Sequence, residues 1–118
     1  MADLIRITGI KGFGYHGVYE AERANGQDFY VDVELEVDLT RASVSDDVED
    51  TINYAEVTDL VVEEITTKPV SLIEKLAGRI AERIKETYAQ AALVTVTVHK
   101  PLAPVSVEVK DVSVTISR

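Results

Sequence analysis

A chain of 118 residues, 46% of them apolar, can bury one hydrophobic core but not two, which excludes a disordered chain and predicts a single domain over 1–118. The net charge of −9 argues against nucleic acid and anionic membrane surfaces as partners, since both require clustered Lys and Arg. The absence of cysteine excludes disulfides and thiolate metal sites, and no apolar run approaches the roughly 20 residues that cross a bilayer.

Met1-Ala2-Asp3-Leu4 lacks the basic-then-apolar pattern of a secretory signal, so a cytoplasmic location is expected. A first strand follows at Leu4-Ile5-Arg6-Ile7-Thr8, with Ile5 and Ile7 on one face. The apolar phase changes across Gly9 to Ile10, which predicts a β-bulge. Gly12, Gly14 and Gly17 lead into a polar loop, Tyr19 to Asp28, with an Asn25-Gly26 turn signal. In the second strand, Phe29, Val31, Val33, Leu35, Val37 and Leu39 alternate with Tyr30, Asp32, Glu34, Glu36 and Asp38. That period of two gives one buried face and one wet, acidic face.

A polar stretch, Thr40 to Asp50, precedes an N-cap signature at Asn53 and Glu56. Tyr54, Val57, Leu60, Val61 and Ile65 then recur at helical spacing until Lys68-Pro69. Ser71 and Glu74 form a second capping-box pattern before Leu72, Ile73, Leu76, Ala77, Ile80, Ala81 and Ile84, a broad apolar stripe. Val94, Val96 and Val98 mark a third strand, interrupted by Lys100-Pro101-Leu102-Ala103-Pro104. Val105, Val107 and Val109 predict a fourth, with a second bulge at Lys110-Asp111 before Val112, Val114 and Ile116. The order is ββααββ: an α+β domain with a four-stranded antiparallel sheet and both helices on one face. Its open edges make subunit pairing a reasonable expectation.

His16 and His99 are far apart in the chain and lack a third soft ligand, so no metal site is expected. The glycines after the first strand open no helix and no Gly-Lys-Ser/Thr follows, so they read as bends rather than a phosphate cradle. Four polar residues stand at element ends: Glu22, Tyr54, Glu74 and Lys100. By spacing alone, Glu74 belongs to a capping box, Tyr54 begins an apolar stripe, Glu22 is a solvated loop charge and Lys100 is a snorkelling strand-end lysine.

Together these residues give a second reading. Gly14-Tyr15-His16-Gly17-Val18-Tyr19-Glu20-Ala21-Glu22, Ser45-Asp46-Asp47 through Asp50-Thr51-Ile52-Asn53-Tyr54, Leu72-Ile73-Glu74 and His99-Lys100-Pro101 occur in the order of four motifs of the dihydroneopterin aldolases. The chain resembles that family from about Asp3 to Ser117. The resemblance implies the tunnelling fold, a lyase of folate biosynthesis that needs no cofactor or metal, and a pterin as small-molecule substrate. It also implies a homo-oligomer, a tetrameric ring stacked as an octamer, with active sites between subunits. Glu74 would hold the pterin edge, helped by Ile73 and Leu72, with Val18 nearby. Thr51, Ile52 and Asn53 of a neighbouring subunit would complete the contacts. Glu22 would bind the trihydroxypropyl side chain, Lys100 would move protons and Tyr54 would help protonate the product carbon. An epimerase acting at the 2′-carbon, on dihydroneopterin or its triphosphate, and a non-catalytic oligomeric pterin-binding module are the competing readings.

Overall fold

Strand β2 (Gln27–Glu36) is the spine of the molecule, and its alternation is as regular as the sequence predicts. Phe29, Val31 and Leu35 are fully buried, while Tyr30, Asp32, Glu34 and Glu36 face the other side. In this computed structural model, which describes residues 3–118, β2 pairs antiparallel with β1 (Leu4–Gly14) and with β3 (Leu93–His99). Strand β4 (Ser113–Ser117) pairs with β3, giving the order β1-β2-β3-β4. The sequence reading of Met1 and Ala2 lies outside the described residues. Among those residues, no helix is long and apolar enough to cross a membrane.

The bulge predicted at Gly9 is present. Register slips between Ile7 and Ile10, Gly9 takes a φ of 74°, and its amide donates to Asp32 Oδ1 at 2.7 Å. A left-handed backbone at that point favours glycine.

Two helices, α3 (Tyr54–Thr66) and α4 (Ile73–Thr87), cover one face of the sheet. Val57, Val61 and Ile65 from α3 and Leu76, Ile80 and Ile84 from α4 meet Val94, Val96 and Val98 in one continuous core. Asn53 caps α3 as expected, its side-chain oxygen accepting from Ala55 N at 3.0 Å. Glu56 does not reach back to complete a box; it accepts from the Tyr88 hydroxyl at 3.2 Å. The far end of α3 is closed by Arg79 of α4, whose guanidinium donates to the carbonyls of Glu64 and Lys68 at 2.9 and 3.0 Å. The Glu64 carboxylate, nearly buried, in turn joins Arg79 and Arg83. Helix α3 stops at Thr66, before Pro69 can obstruct it.

Three expectations are corrected. The segment from Tyr19 to Asp28 is not all loop, since Glu20–Asn25 forms a short helix, α1. The polar stretch from Thr40 to Asp50 also winds, into α2 (Thr40–Ser45) and a 3-10 turn at Val48–Asp50. Its start is held by Asp3, whose carboxylate accepts from Leu39 N at 3.0 Å. The fourth strand begins only at Ser113, so there is no second bulge. Val105, Val107 and Val109 are exposed in an irregular strap over 101–112. Strand β3 ends at His99, so an earlier β4 would have no ladder to join.

Candidate active site

The site begins with a glycine. A Cβ added to Gly17 would lie 2.5 Å from the Glu22 carboxyl carbon and 2.6 Å from its Cβ, so only glycine lets Glu22 fold back so closely. The Tyr19 amide, at the start of α1, donates to Glu22 Oε1 at 3.3 Å and fixes that direction. Glu22 Oε2 pairs with Lys100 Nζ, and the two side chains are only 9% and 10% exposed. Glu22 is therefore no solvated loop charge. Lys100 follows Val94, Val96 and Val98 on the helix side of β3, as its phase predicts, and its head ends in an ion pair rather than in solvent.

Glu74 stands in the first turn of α4 and is exposed. The predicted capping box is absent: Leu72, not Ser71, is the N-cap, and no side chain caps this helix. Ser71 sits one residue too early for its hydroxyl to serve the first-turn amides. The cap role assigned by spacing is thus removed, and the Glu74 carboxylate is left for another use.

The loops carrying these groups are tied together by His16. Its ring is fully buried against Phe29, with Nε2–H donating to Ile65 O at 2.7 Å and Nδ1 accepting from Val70 N at 3.0 Å. A ring that accepts at one nitrogen and donates at the other is neutral. Burial, with the positive charges of Arg79, Arg23 and Lys100, outweighs the hydrogen bond to Ile65 and holds the His16 pKa below its ordinary 6.5. Gly17 N adds a bond to Val70 O at 2.9 Å. The segment leading to Glu22 is thereby fastened to the segment leading to Glu74. As a lone histidine with no metal-ligand spacing, His16 offered no signal for this role beyond its glycine neighbours.

Val18, Glu22, Leu72, Ile73, Glu74 and Lys100 line one pocket of about 270 Å³. Thr51, Ile52, Asn53 and Tyr54 line a different one of about 550 Å³, beside the start of β1. No residue lines both. The expected site residues therefore form two separate groups on one chain. Tyr54 is 66% exposed at the start of α3. The smaller pocket falls below the roughly 300–1,000 Å³ of complete small-molecule sites. Pocket residues that spacing did not single out are Tyr19, Ala103, Pro104, Val112 and Val114. Ala103, Pro104 and Val112 come from the strap, whose path the sequence reading misplaced, and Val114 comes from β4. Among the described residues no group of three or more His, Cys, Asp or Glu is arranged to hold a metal ion.

Chemically, the smaller pocket offers a shielded acid–base pair beside a free carboxylate. The pair can take and return protons, and the carboxylate can accept two parallel hydrogen bonds from a planar donor edge.

Comparison with known proteins agrees in kind. The family model described as FolB, dihydroneopterin aldolase, matches residues 5–117. Dihydroneopterin aldolase of Streptomyces coelicolor is 41% identical, covering 98% of this chain and 97% of its own length. That of Bacillus subtilis is 39% identical with the same coverage. The crystal structure of Escherichia coli dihydroneopterin aldolase in complex with neopterin superposes with a TM-score of 0.90 at 28% identity, covering 98% of each chain. A family match across nearly the whole sequence, relatives near 40% identity and a shared architecture lead to one conclusion: the chain belongs to the dihydroneopterin aldolase family.

Proposed function

We propose that this protein is a lyase that cleaves 7,8-dihydroneopterin by a retro-aldol reaction to 6-hydroxymethyl-7,8-dihydropterin and glycolaldehyde. The observation that carries the reading is the buried Glu22–Lys100 pair sharing a pocket with an uncapped Glu74. Family membership and the neopterin bound to the Escherichia coli relative support the substrate class.

Breaking the bond between C1′ and C2′ of the side chain needs a sink for its electron pair. The C6=N5 imine of the substrate is that sink, so the protein has to position the substrate and move protons. Glu74 grips the 2-amino and N3–H edge of the pterin through two parallel hydrogen bonds, with Ile73 and Leu72 beside it. Glu22 binds the side-chain hydroxyls. Lys100, through water, gives a proton to N5 and takes up the 2′-hydroxyl proton in its place as the C2′ carbonyl of glycolaldehyde forms. The resulting enamine is reprotonated at C1′ with help from Tyr54, N5 gives up its proton, and the hydroxymethyl product is complete.

Tyr54, Asn53, Ile52 and Thr51 line a different pocket from Lys100 in one chain. The reaction as written therefore has a second subunit supply them, in a homo-oligomeric ring with sites between neighbours. The small volume of the Glu22–Glu74–Lys100 pocket supports this. Incubating the purified protein with dihydroneopterin, with and without a chelator, and quantifying glycolaldehyde tests the reading. Glycolaldehyde in both arms is expected. Tight pterin binding without glycolaldehyde would instead mark a binding module, and loss of product with chelator would overturn the metal-free route.

A further inference from the structure

His99 ends β3 one residue before Lys100, but on the opposite, polar face of the sheet. Its two ring nitrogens each meet a carboxylate at 2.6 Å: Nε2 with Asp32 Oδ2 and Nδ1 with Asp111 Oδ2. Only an imidazolium donates at both nitrogens. Asp32 is itself anchored, since its other oxygen accepts from Gly9 N in the β1 bulge at 2.7 Å. Asp111 belongs to the strap over 101–112, which lends Ala103, Pro104 and Val112 to the Glu22–Glu74–Lys100 pocket. The Lys100 amide donates to Val112 O at 2.7 Å, the residue directly after Asp111.

One chain of contacts thus runs from the bulge through Asp32 and His99 to the strap, and from the strap back to the Lys100 backbone. The strap has little packing of its own: Leu102, Val105 and Val107 are 72%, 50% and 69% exposed. Its ends are held by the Lys100–Val112 bond and by the His99–Asp111 contact.

We propose that the His99 cation, clamped between Asp32 and Asp111, is a positioning residue for the reaction, fixing the strap and with it the placement of Lys100 against Glu22. The proposal rests on Lys100 being the proton-transfer group. His99 does not touch the substrate; adjacent residues of a strand face opposite sides of the sheet, so it acts through the backbone. A displacement of about 1 Å in a catalytic group costs up to about a hundredfold in rate, so a tether at this point has leverage on kcat.

The charge of His99 sets when the clamp holds. Burial alone would lower its pKa, but the hydrogen bonds to Asp111 and Asp32 and their charges outweigh burial and keep it above 6.5. The other groups around the ring are Tyr30, its cross-strand neighbour on β2, Lys110 on the strap, Thr8 and Gly9 of β1, and Ser113 on β4. Of these only Lys110 carries a charge near neutrality. With a raised pKa in the folded state, the clamp is complete below pH 6.5 and is lost as pH rises through the folded value.

The test combines Asp111→Asn, Asp111→Glu and His99→Gln with nitrogen NMR of the imidazole, hydrogen exchange at the Lys100 amide, and kcat and KM for dihydroneopterin across pH. In the unsubstituted protein both ring nitrogens should be protonated below pH 6.5. Asp111→Asn should lower the pH at which His99 deprotonates and speed exchange at the Lys100 amide. It should also lower kcat roughly tenfold with KM changed less than about twofold, and Asp111→Glu should restore part of the loss. His99→Gln should show the same kcat loss and no alkaline change attributable to residue 99. A neutral His99 below pH 6.5, or a pH profile and amide exchange untouched by Asp111→Asn, would overturn the proposal. If the unsubstituted protein releases no glycolaldehyde, the assigned reaction fails, and the NMR and exchange measurements still decide whether the clamp holds the strap.

Discussion

Replacing Lys100 by alanine is expected to lower kcat by roughly 10²–10⁴-fold while leaving pterin affinity nearly intact. The lysine amine lies inside the pocket wall, paired with Glu22, and Glu74 sits apart from that pair at the start of α4. Removing the amine takes away the group that moves protons and leaves the grip on the ring in place. The substitution also strands the Glu22 carboxylate, only 9% exposed, without its cation, so a loss of stability should accompany the kinetic effect. Lys100→Gln, which keeps a hydrogen-bond donor near Glu22, separates the two consequences. It should recover much of the denaturation midpoint and none of the turnover. Binding lost in proportion to kcat in both variants would show that Lys100 holds substrate rather than serving its chemistry.

Glu74→Gln should produce the opposite pattern, weakening dihydroneopterin binding by about a hundredfold, because a paired, charge-assisted contact is replaced by an amide with one misdirected donor. The fold should tolerate the change. Glu74 is exposed and caps nothing, so the α4 N-terminus loses no hydrogen bond. Calorimetric titration with neopterin, run beside thermal denaturation, checks both halves. An unchanged Kd together with a lower melting temperature would return Glu74 to the structural role that its spacing from Ser71 suggested.

The strands and main helices were readable because burial enforces periodicity. The strict alternation of β2, the helical spacing from Tyr54 and from Ile73, and the phase change at Gly9 each record a constraint imposed by the core. Helices α1 and α2 bury no residue, so no apolar stripe announces them. The strap misled for the converse reason. Val105, Val107 and Val109 alternate as a strand would, yet they have no partner strand among the described residues and remain exposed. For the site, spacing alone favoured ordinary roles for Glu22 and Glu74, and only the ordered motifs pointed elsewhere. Burial of Glu22 with Lys100 and the missing cap at α4 are facts of three dimensions. His16 was invisible for the same reason, since its two backbone partners lie 49 and 54 positions away.

The neutral His16 ring makes the site vulnerable to acid before the sheet is. Its folded pKa is depressed, so its contribution to stability is present above 6.5 and is withdrawn as pH falls through the folded value. A proton added at Nδ1 cannot coexist with the bond from Val70 N, and the seam between the Glu22 segment and the Glu74 segment must open. Once pH falls below the folded value of His16, itself lower than 6.5, catalytic capacity should therefore vanish while far-ultraviolet circular dichroism still reports an intact sheet, and it should return on neutralisation. Simultaneous loss of both signals would mean that the histidine guards the entire fold and not the seam alone.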